Sequence, residues 1–257
     1  MNIFRKQKWI AFIMVMTVSV AFVSCGNDDE DNRTNEPSIP SDTRAVDLGL
    51  SVYWAKMNVG ASSPEDFGLY FAWGETKGYT SNTSDGHQFD YVEYKWMTPG
   101  QSSPYWINKY QVADNWPEGC WFDSNNRFIG DGKTVLEPAD DAARASWSGS
   151  WRMPTIEECQ ELINNCTAEW TMQSGVYGCK LTCRKNGNSI FLPAGGIRAS
   201  GGVLTWEGIG VYWSSSHKTT GGGHGFNFSS NDGSSMYIST NDYSRNTGIN
   251  VRPVLEK

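Results

Sequence analysis

Positive charge is in deficit: Lys and Arg number 21 against 28 Asp and Glu, a formal charge of -7 over 257 residues. A nucleic-acid partner needs a basic face to neutralise phosphates, so DNA and RNA drop out as ligands. Histidine is scarce too, and His87, His217 and His224 all sit in stretches rich in Gly, Ser or Asp. Neither HExxH nor GxSxG occurs, which removes the minimum parts of a zinc protease or a serine hydrolase. Residues 221–225 (GGGHG) lack GxGxxG or Walker spacing, and no helix pattern follows to hold a phosphate; they read as a flexible loop. Residues 123–128 (DSNNRF) open like a calcium loop, but Arg127 and Phe128 stand where a carboxylate or amide and the turn glycine are required. Glu137, Asp140 and Asp141 read either as a structural cation site or as a solvated helix start. A carboxylate pair for glycoside hydrolysis is defined by a separation in space, which sequence does not supply. No cofactor is expected.

What the chain does have is 27 Gly, 12 Trp and 13% aromatics with only 19% charged residues. That composition can bury a core, rules out disorder along the whole length, and favours turns and short strands over long helices. The length suits one ample domain.

The N-terminus reads as an address. Arg5, Lys6 and Lys8 precede an apolar run over residues 9–23, shorter than the roughly 20 residues a membrane span needs. Residues 1–24 are therefore expected to be a signal peptide. Residues 22–25 (FVSC) resemble the lipobox of bacterial lipoproteins, which makes Cys25 the expected acylated N-terminus; an ordinary secretory peptide cut near Ser24 is the alternative. The acidic run at residues 26–31 resembles the surface-export signal of Bacteroidetes lipoproteins, with a plain periplasmic tether as the other reading. Residues 32–44 carry two Pro, no aromatics and one aliphatic residue, too little to offset their own ordering entropy, so residues 25–45 are expected to be a tether and the folded domain to span 46–257. Loss of the three basic residues leaves a mature charge of -10, so acyl chains rather than head-group attraction hold the protein to its membrane.

Alternation over residues 46–54 predicts one strand with a single buried face, and residues 67–73 (FGLYFAW) a second strand. Ile156, Cys159, Leu162, Ile163 and Cys166 make one stripe of a helix over 156–166, with Thr155 as its N-cap; a shorter helix is expected within 138–146. Beyond Tyr177 short strands are expected at 177–184, 189–192, 211–214, 225–228, 236–239 and 249–254, giving an α+β domain. Apart from Cys25 the cysteines are Cys120, Cys159, Cys166, Cys179 and Cys183, an odd number. Disulfides, if formed, staple the helix to the following strand, for example Cys166 to Cys179 or Cys183; buried free thiols are the equal alternative.

Several segments, in order, resemble the Fibrobacter succinogenes major paralogous domain family of Bacteroides lipoproteins. They are residues 46–55 (VDLGLSVYWA), 58–61 (NVGA), 70–75 (YFAWGE), 151–155 (WRMPT), 191–196 (FLPAGG), 212–216 (YWSSS) and 251–254 (VRPV). The resemblance covers nearly the whole mature chain. It implies a C-type-lectin-like fold shared with formylglycine-generating enzymes, with short antiparallel strands, about two helices, long loops and terminal strands paired at the base. Those enzymes use reactive cysteines late in the domain, and none follows Cys183 here, so the resemblance implies a scaffold rather than an enzyme. In such a fold residues 205–246, dense in Ser, Asn, Gly, Tyr and Thr, supply a ligand face with the composition of an antibody paratope, similar also to the variable regions of retroelement-diversified lectin-fold proteins. The expected contacts are Trp206, Tyr237, Asn241, Tyr243 and Arg245, taking a glycan or a protein ligand, while Trp213, Phe226, Phe228 and Arg252 are expected to hold the scaffold. The expected protein is a surface-exposed outer-membrane lipoprotein, with a pilus-tip or matrix assembly subunit as the alternative and an enzyme of the formylglycine-generating type as the least favoured.

Overall fold

In a computed structural model, which describes residues 42–113, 121–206, 208–233 and 235–257, the alternating stretch at 46–54 folds back on itself instead of running as one strand. β1 (Ala45–Val46) and β2 (Val52–Ala55) pair antiparallel, with Ala45 opposite Ala55 and Val46 opposite Trp54. The reversal comes from Asp47, whose Oδ1 accepts from the Gly49 amide at 2.8 Å, and from Gly49 itself, at φ +70. All four residues of β2 are buried, so the strand has no solvent face and the period-two pattern belongs to a hairpin. The ordered fold also begins earlier than expected. Arg44 binds Asp42, and Asp42 accepts from Trp151 Nε1 at 2.8 Å, which ties residues 42–45 to the domain rather than to the tether.

The other strands are β3 (Tyr70–Phe71), β4 (Trp151–Arg152), β5 (Cys166–Gln173), β6 (Val176–Cys183), β7 (Ser189–Pro193), β8 (Ile197–Arg198), β9 (Leu204–Thr205), β10 (Ile209–Trp213), β11 (Gly222–Ser230), β12 (Met236–Ser244), β13 (Ile249–Asn250) and β14 (Val254–Glu256). They form sheets of order β1-β2-β14-β4, β12-β11-β10-β13-β3 and β5-β6-β7, with β8 and β9 as a separate pair. Pairing is antiparallel except between β10 and β13. The last strand, β14, pairs with the second strand of the N-terminal hairpin, β2, where Val254 faces Trp54 and Leu255 faces Tyr53. With two α-helices among the described residues, the protein is α+β and mainly β.

Helix α1 (Ala142–Trp147) is N-capped by Asp141, whose carboxylate also accepts from Met153 N. Helix α2 (Ile156–Asn165) starts with a capping box, Thr155 and Glu158 bonding reciprocally. Glu158 is held a second time by a bidentate Arg152, at 2.7 and 2.8 Å, so residues 151–158 form one locked corner. The helix ends one residue before Cys166, which instead opens β5, a strand the helical stripe had concealed.

Two apolar layers flank the five-stranded sheet. Phe226, Phe228 and Tyr212 point to a core shared with α2, β6, β7 and β2, while Val211 and Trp213 point to a second one with Phe71, Trp73, Tyr110 and Ile249. Glycine explains how the indoles fit: a Cβ on Gly223 would lie 2.7 Å from Trp73 Cδ1, and one on Gly225 would lie 2.4 Å from Tyr212 O. Residues 222–225 are therefore buried strand, not the flexible loop expected of them. Arg252 is fully buried without a carboxylate partner, donating to Asn58 Oδ1, Ala55 O and Phe191 O at 2.8 to 3.0 Å. Burial pulls its pKa down to about 10, still charged at neutral pH.

Candidate binding face

The segment expected to be loop-rich, with short strands at 225–228 and 236–239, is mostly a hairpin of two nine-residue strands that extend both of them. β11 and β12 pair along their whole length, from Gly222 opposite Ser244 to Ser230 opposite Met236. Alternation along β12 sends Met236 and Ile238 toward the first core and leaves Tyr237, Ser239, Asn241 and Tyr243 on the other face. On β11 the matching positions are Ser229, Asn227, Gly225 and Gly223. The inner end of this face is closed by Trp213, whose ring meets Tyr243 edge-on at 5.9 Å. Its outer end is open.

There Asn241 Nδ2 donates to Asn227 Oδ1 at 2.6 Å and to Ser239 Oγ at 2.9 Å, and Ser239 Oγ lies 3.3 Å from Asn227 Oδ1. This trio fixes the amide orientations and does not use Asn227 Nδ2, a donor, or Asn241 Oδ1, an acceptor. Asn227 was not expected in the site; the signal for it is its register opposite Ser239, which appears only once the hairpin is aligned. Aromatic rings bracket the trio. Tyr237 is 58% exposed on one side, and Trp206, 50% exposed, leans on the Tyr243 ring at 6.3 Å on the other. Trp206 holds φ +59, a left-handed conformation that a bulky residue adopts at a cost of roughly 1–3 kcal/mol. Tyr243 is half-buried, and burial raises its phenol well above the usual range, so it stays neutral.

Arg245 must be removed from the expected contact set. Its side chain is fully buried, stacked on Trp73 with the guanidinium carbon 4.6 Å from the ring centre. Its N–H groups go to Tyr110 O (2.7 Å), Lys109 O (3.1 Å), Thr219 O (3.3 Å) and Gly222 O (3.4 Å), and Nη2 also reaches His217 Nδ1 at 2.7 Å. His217 Nε2 faces Lys133 O at 2.6 Å, which puts the ring proton there and leaves Nδ1 as acceptor. Burial, then the Arg245 charge, lower His217 to about 4. Arginine here replaces a ligand contact with a knot that ties the end of β12 to residues 109, 110, 217, 219 and 222.

The titratable groups elsewhere are similarly committed. Asp140 accepts from Lys109 (2.6 Å), Tyr110 (2.6 Å) and Lys95 (3.1 Å), and Glu137 binds Lys109 and Lys133, so three lysines hold the acidic cluster that could have suited a cation, and Asp140 is buried rather than solvated. Asp123 closes a turn onto Asn125 N and Arg127 N. His87 stacks on Tyr79 at 3.8 Å, and His224 lies 3.1 Å from Asp242 on the far side of the hairpin. Among the described residues no group of three or more His, Cys, Asp or Glu could hold a metal, and no helix is long and apolar enough to cross a membrane. Cys159, Cys166, Cys179 and Cys183 are free and buried. Cys25, Cys120 and residues 1–41, which include the expected signal peptide, lipidation site and most of the tether, lie outside the described residues.

Comparison of the chain with family models, with curated proteins and with solved structures finds no match in any of the three.

Proposed function

We propose that the protein is a non-catalytic binding module of C-type-lectin-like architecture, related to the major paralogous domain family, which presents the outer half of the β11–β12 face to a glycan or a protein ligand. The observation that carries this reading is Trp206: its backbone strain is spent on holding an indole half in solvent, against Tyr243, beside an ordered Asn227–Ser239–Asn241 array. Rigid aromatics beside preset amide and hydroxyl groups stack on sugar faces or partner side chains at low entropic cost. None of the side chains on this face is a carboxylate, imidazole or thiol, so binding requires no proton transfer there. Pairing of β2 with β14 agrees with the base expected of a lectin-like domain. The four described thiols are buried and no Cys follows Cys183, which speaks against oxidase chemistry of the formylglycine-generating type. With Cys25 acylated and the acidic run after it, the domain would stand on the outer surface of the outer membrane.

The test is glycan-array and pull-down binding with a Trp206→Gly, Tyr237→Ala, Asn241→Ala variant. Glycine relieves the strain at 206, so the variant is expected to keep its melting temperature within a few degrees and to lose every captured ligand. Full retention of those ligands would overturn the assignment. An assembly role has one observation in its favour, the position of β12 as a nine-residue edge strand open to pairing with another chain. Concentration-dependent oligomers on gel filtration, abolished by a proline at Ser239, would favour it.

A further inference from the structure

A cleft of roughly 470 Å³ opens beyond the other end of β12, where residues 90–92, Ser102, residues 199–200, Ser244 and residues 246–247 converge. Its volume lies within the range of about 300–1,000 Å³ typical of small-molecule sites. The walls are fixed from behind. Arg198, fully buried, grips Asp85 at 2.7 and 3.0 Å, and exchanges two backbone hydrogen bonds with Gly248 at 2.8 Å; Gly202 N donates to Gln88 O at 2.9 Å. Thr247 N closes a turn onto Ser244 O at 2.9 Å.

The lining chemistry is narrow. Hydroxyls come from Ser102, Ser200, Ser244 and Thr247, a phenol from Tyr91, an amide from Asn246, and the one charged group is Asp90. Lys, Arg and His are missing from the lining, so an anionic ligand would meet Asp90 uncompensated. A single carboxylate is also too little for a calcium or magnesium cage. Apolar surface is confined to Val92 and Ala199, with Val92 70% exposed, which suits one C–H face and not a lipid.

Asn246 supplies the second observation. It is more than nine-tenths buried, its Nδ2 donates to Phe89 O at 2.6 Å, and its Oδ1 has no donor among the described residues. A buried acceptor left unsatisfied is costly, and a ligand hydroxyl donates what it lacks. Asp90, half-buried, accepts from Glu93 N at 2.9 Å through Oδ1, and its Oδ2 has no donor among the described residues. We propose that this cleft binds the terminal residue of a neutral saccharide, whose hydroxyls donate to Asn246 and Asp90 and exchange hydrogen bonds with the Ser and Thr hydroxyls. The site uses none of the side chains of the β11–β12 face and stands or falls separately from it.

The experiment is saturation-transfer NMR on the purified protein with glucose, galactose, mannose and N-acetylglucosamine, and with glucuronic acid as the anionic control. Transfer is expected to at least one neutral sugar and not to glucuronic acid. Asp90→Asn keeps the acceptor for Glu93 N, and Ser200→Val sits on an exposed loop, so both should fold; each is expected to weaken binding at least five-fold. Trp206→Gly should leave it unchanged, which separates this cleft from the hairpin face. Absence of transfer to all four neutral sugars, equal transfer to glucuronic acid, or transfer that persists in both cleft variants or vanishes with Trp206→Gly would overturn the proposal.

Discussion

Cys166 and Cys183 stand directly opposite each other on β5 and β6, and the position is one where a disulfide fits. Arg184 N donates to Asn165 O at 3.0 Å, which makes the neighbouring pair the hydrogen-bonded one; Cys166 N turns to Leu162 O and Cys183 N to Asn188 O. The two cysteines thus occupy a non-hydrogen-bonded site, where Cα atoms of facing residues lie about 4.5 Å apart, inside the window a disulfide accepts. Burial, followed by the neighbouring Cys183 thiol, pushes Cys166 up to about 12, so little thiolate exists once the protein has folded. Oxidation is therefore expected during folding, when a disulfide donor such as oxidised glutathione accepts the two electrons, and to be slow when the reduced protein is already folded. The bond would close a loop of roughly 18 residues, worth about 3 kcal/mol by loss of unfolded-chain entropy. For a chain of this size that corresponds to a rise of about 6–12 °C in Tm, an upper value because native strain only subtracts. The assay is refolding in a glutathione redox couple, alkylation of free thiols, non-reducing peptide mapping, and melting with and without reductant, with Cys166→Ser as control. Peptide maps in which Cys166 and Cys183 stay alkylated, or a bonded form that melts no higher than the reduced one, would refute the reasoning.

Two further outcomes follow from the buried groups around β11. His217 is neutral in the fold and lowered to about 4, whereas an unfolded histidine titrates near 6.5, so its contribution is complete above pH 6.5 and is lost as pH falls toward 4, by about 3 kcal/mol in all. Melting curves between pH 7 and 4.5 should fall more steeply for the wild type than for His217→Gln, which can accept from Arg245 and donate to Lys133 O without taking a proton; parallel curves would show that His217 takes up its proton as readily in the fold as in the unfolded chain. Gly225→Ala, forced against Tyr212 O, should cost about 1–3 kcal/mol in urea unfolding, as should Gly223→Ala against Trp73, and a negligible loss for both would return residues 222–225 to the status of a loop.

The strands and helices that could be read in advance are those whose partners are local. The α2 stripe and its Thr155 cap needed only residues 151–166, and the cap is present, as one half of a capping box with Glu158. Residues 46–54 misled because hairpin and strand share a period-two pattern, and the deciding interaction, Asp47 to Gly49, is a turn hidden inside the alternation. β5 was missed for the opposite reason: TAEWTMQ is polar and half-exposed, and only pairing with β6 makes it a strand. Arg245 shows the limit for the site. Nothing local distinguishes an arginine that reaches a ligand from one whose N–H groups are consumed by carbonyls of residues 109, 110, 219 and 222.

The segments that carry the family resemblance lie in the core. Trp73 Nε1 donates to Ser214 O, Trp213 Nε1 to Phe71 O, Tyr212 OH to Pro193 O, and Arg252 to Phe191 O, so residues 70–75, 191–196, 212–216 and 251–254 bind one another through backbone carbonyls. Such bonds fix where β10 sits, and β10 fixes the register of β11 and then β12. The candidate face lies at the end of this sequence of dependencies, on the side chains that no core contact specifies. Substitutions at Tyr237, Ser239, Asn241 and Asn227 can therefore alter ligand preference while the hydrogen bonds that hold the sheet remain in place, whereas a change at Trp73 or Tyr212 would shift every strand between the core and the face.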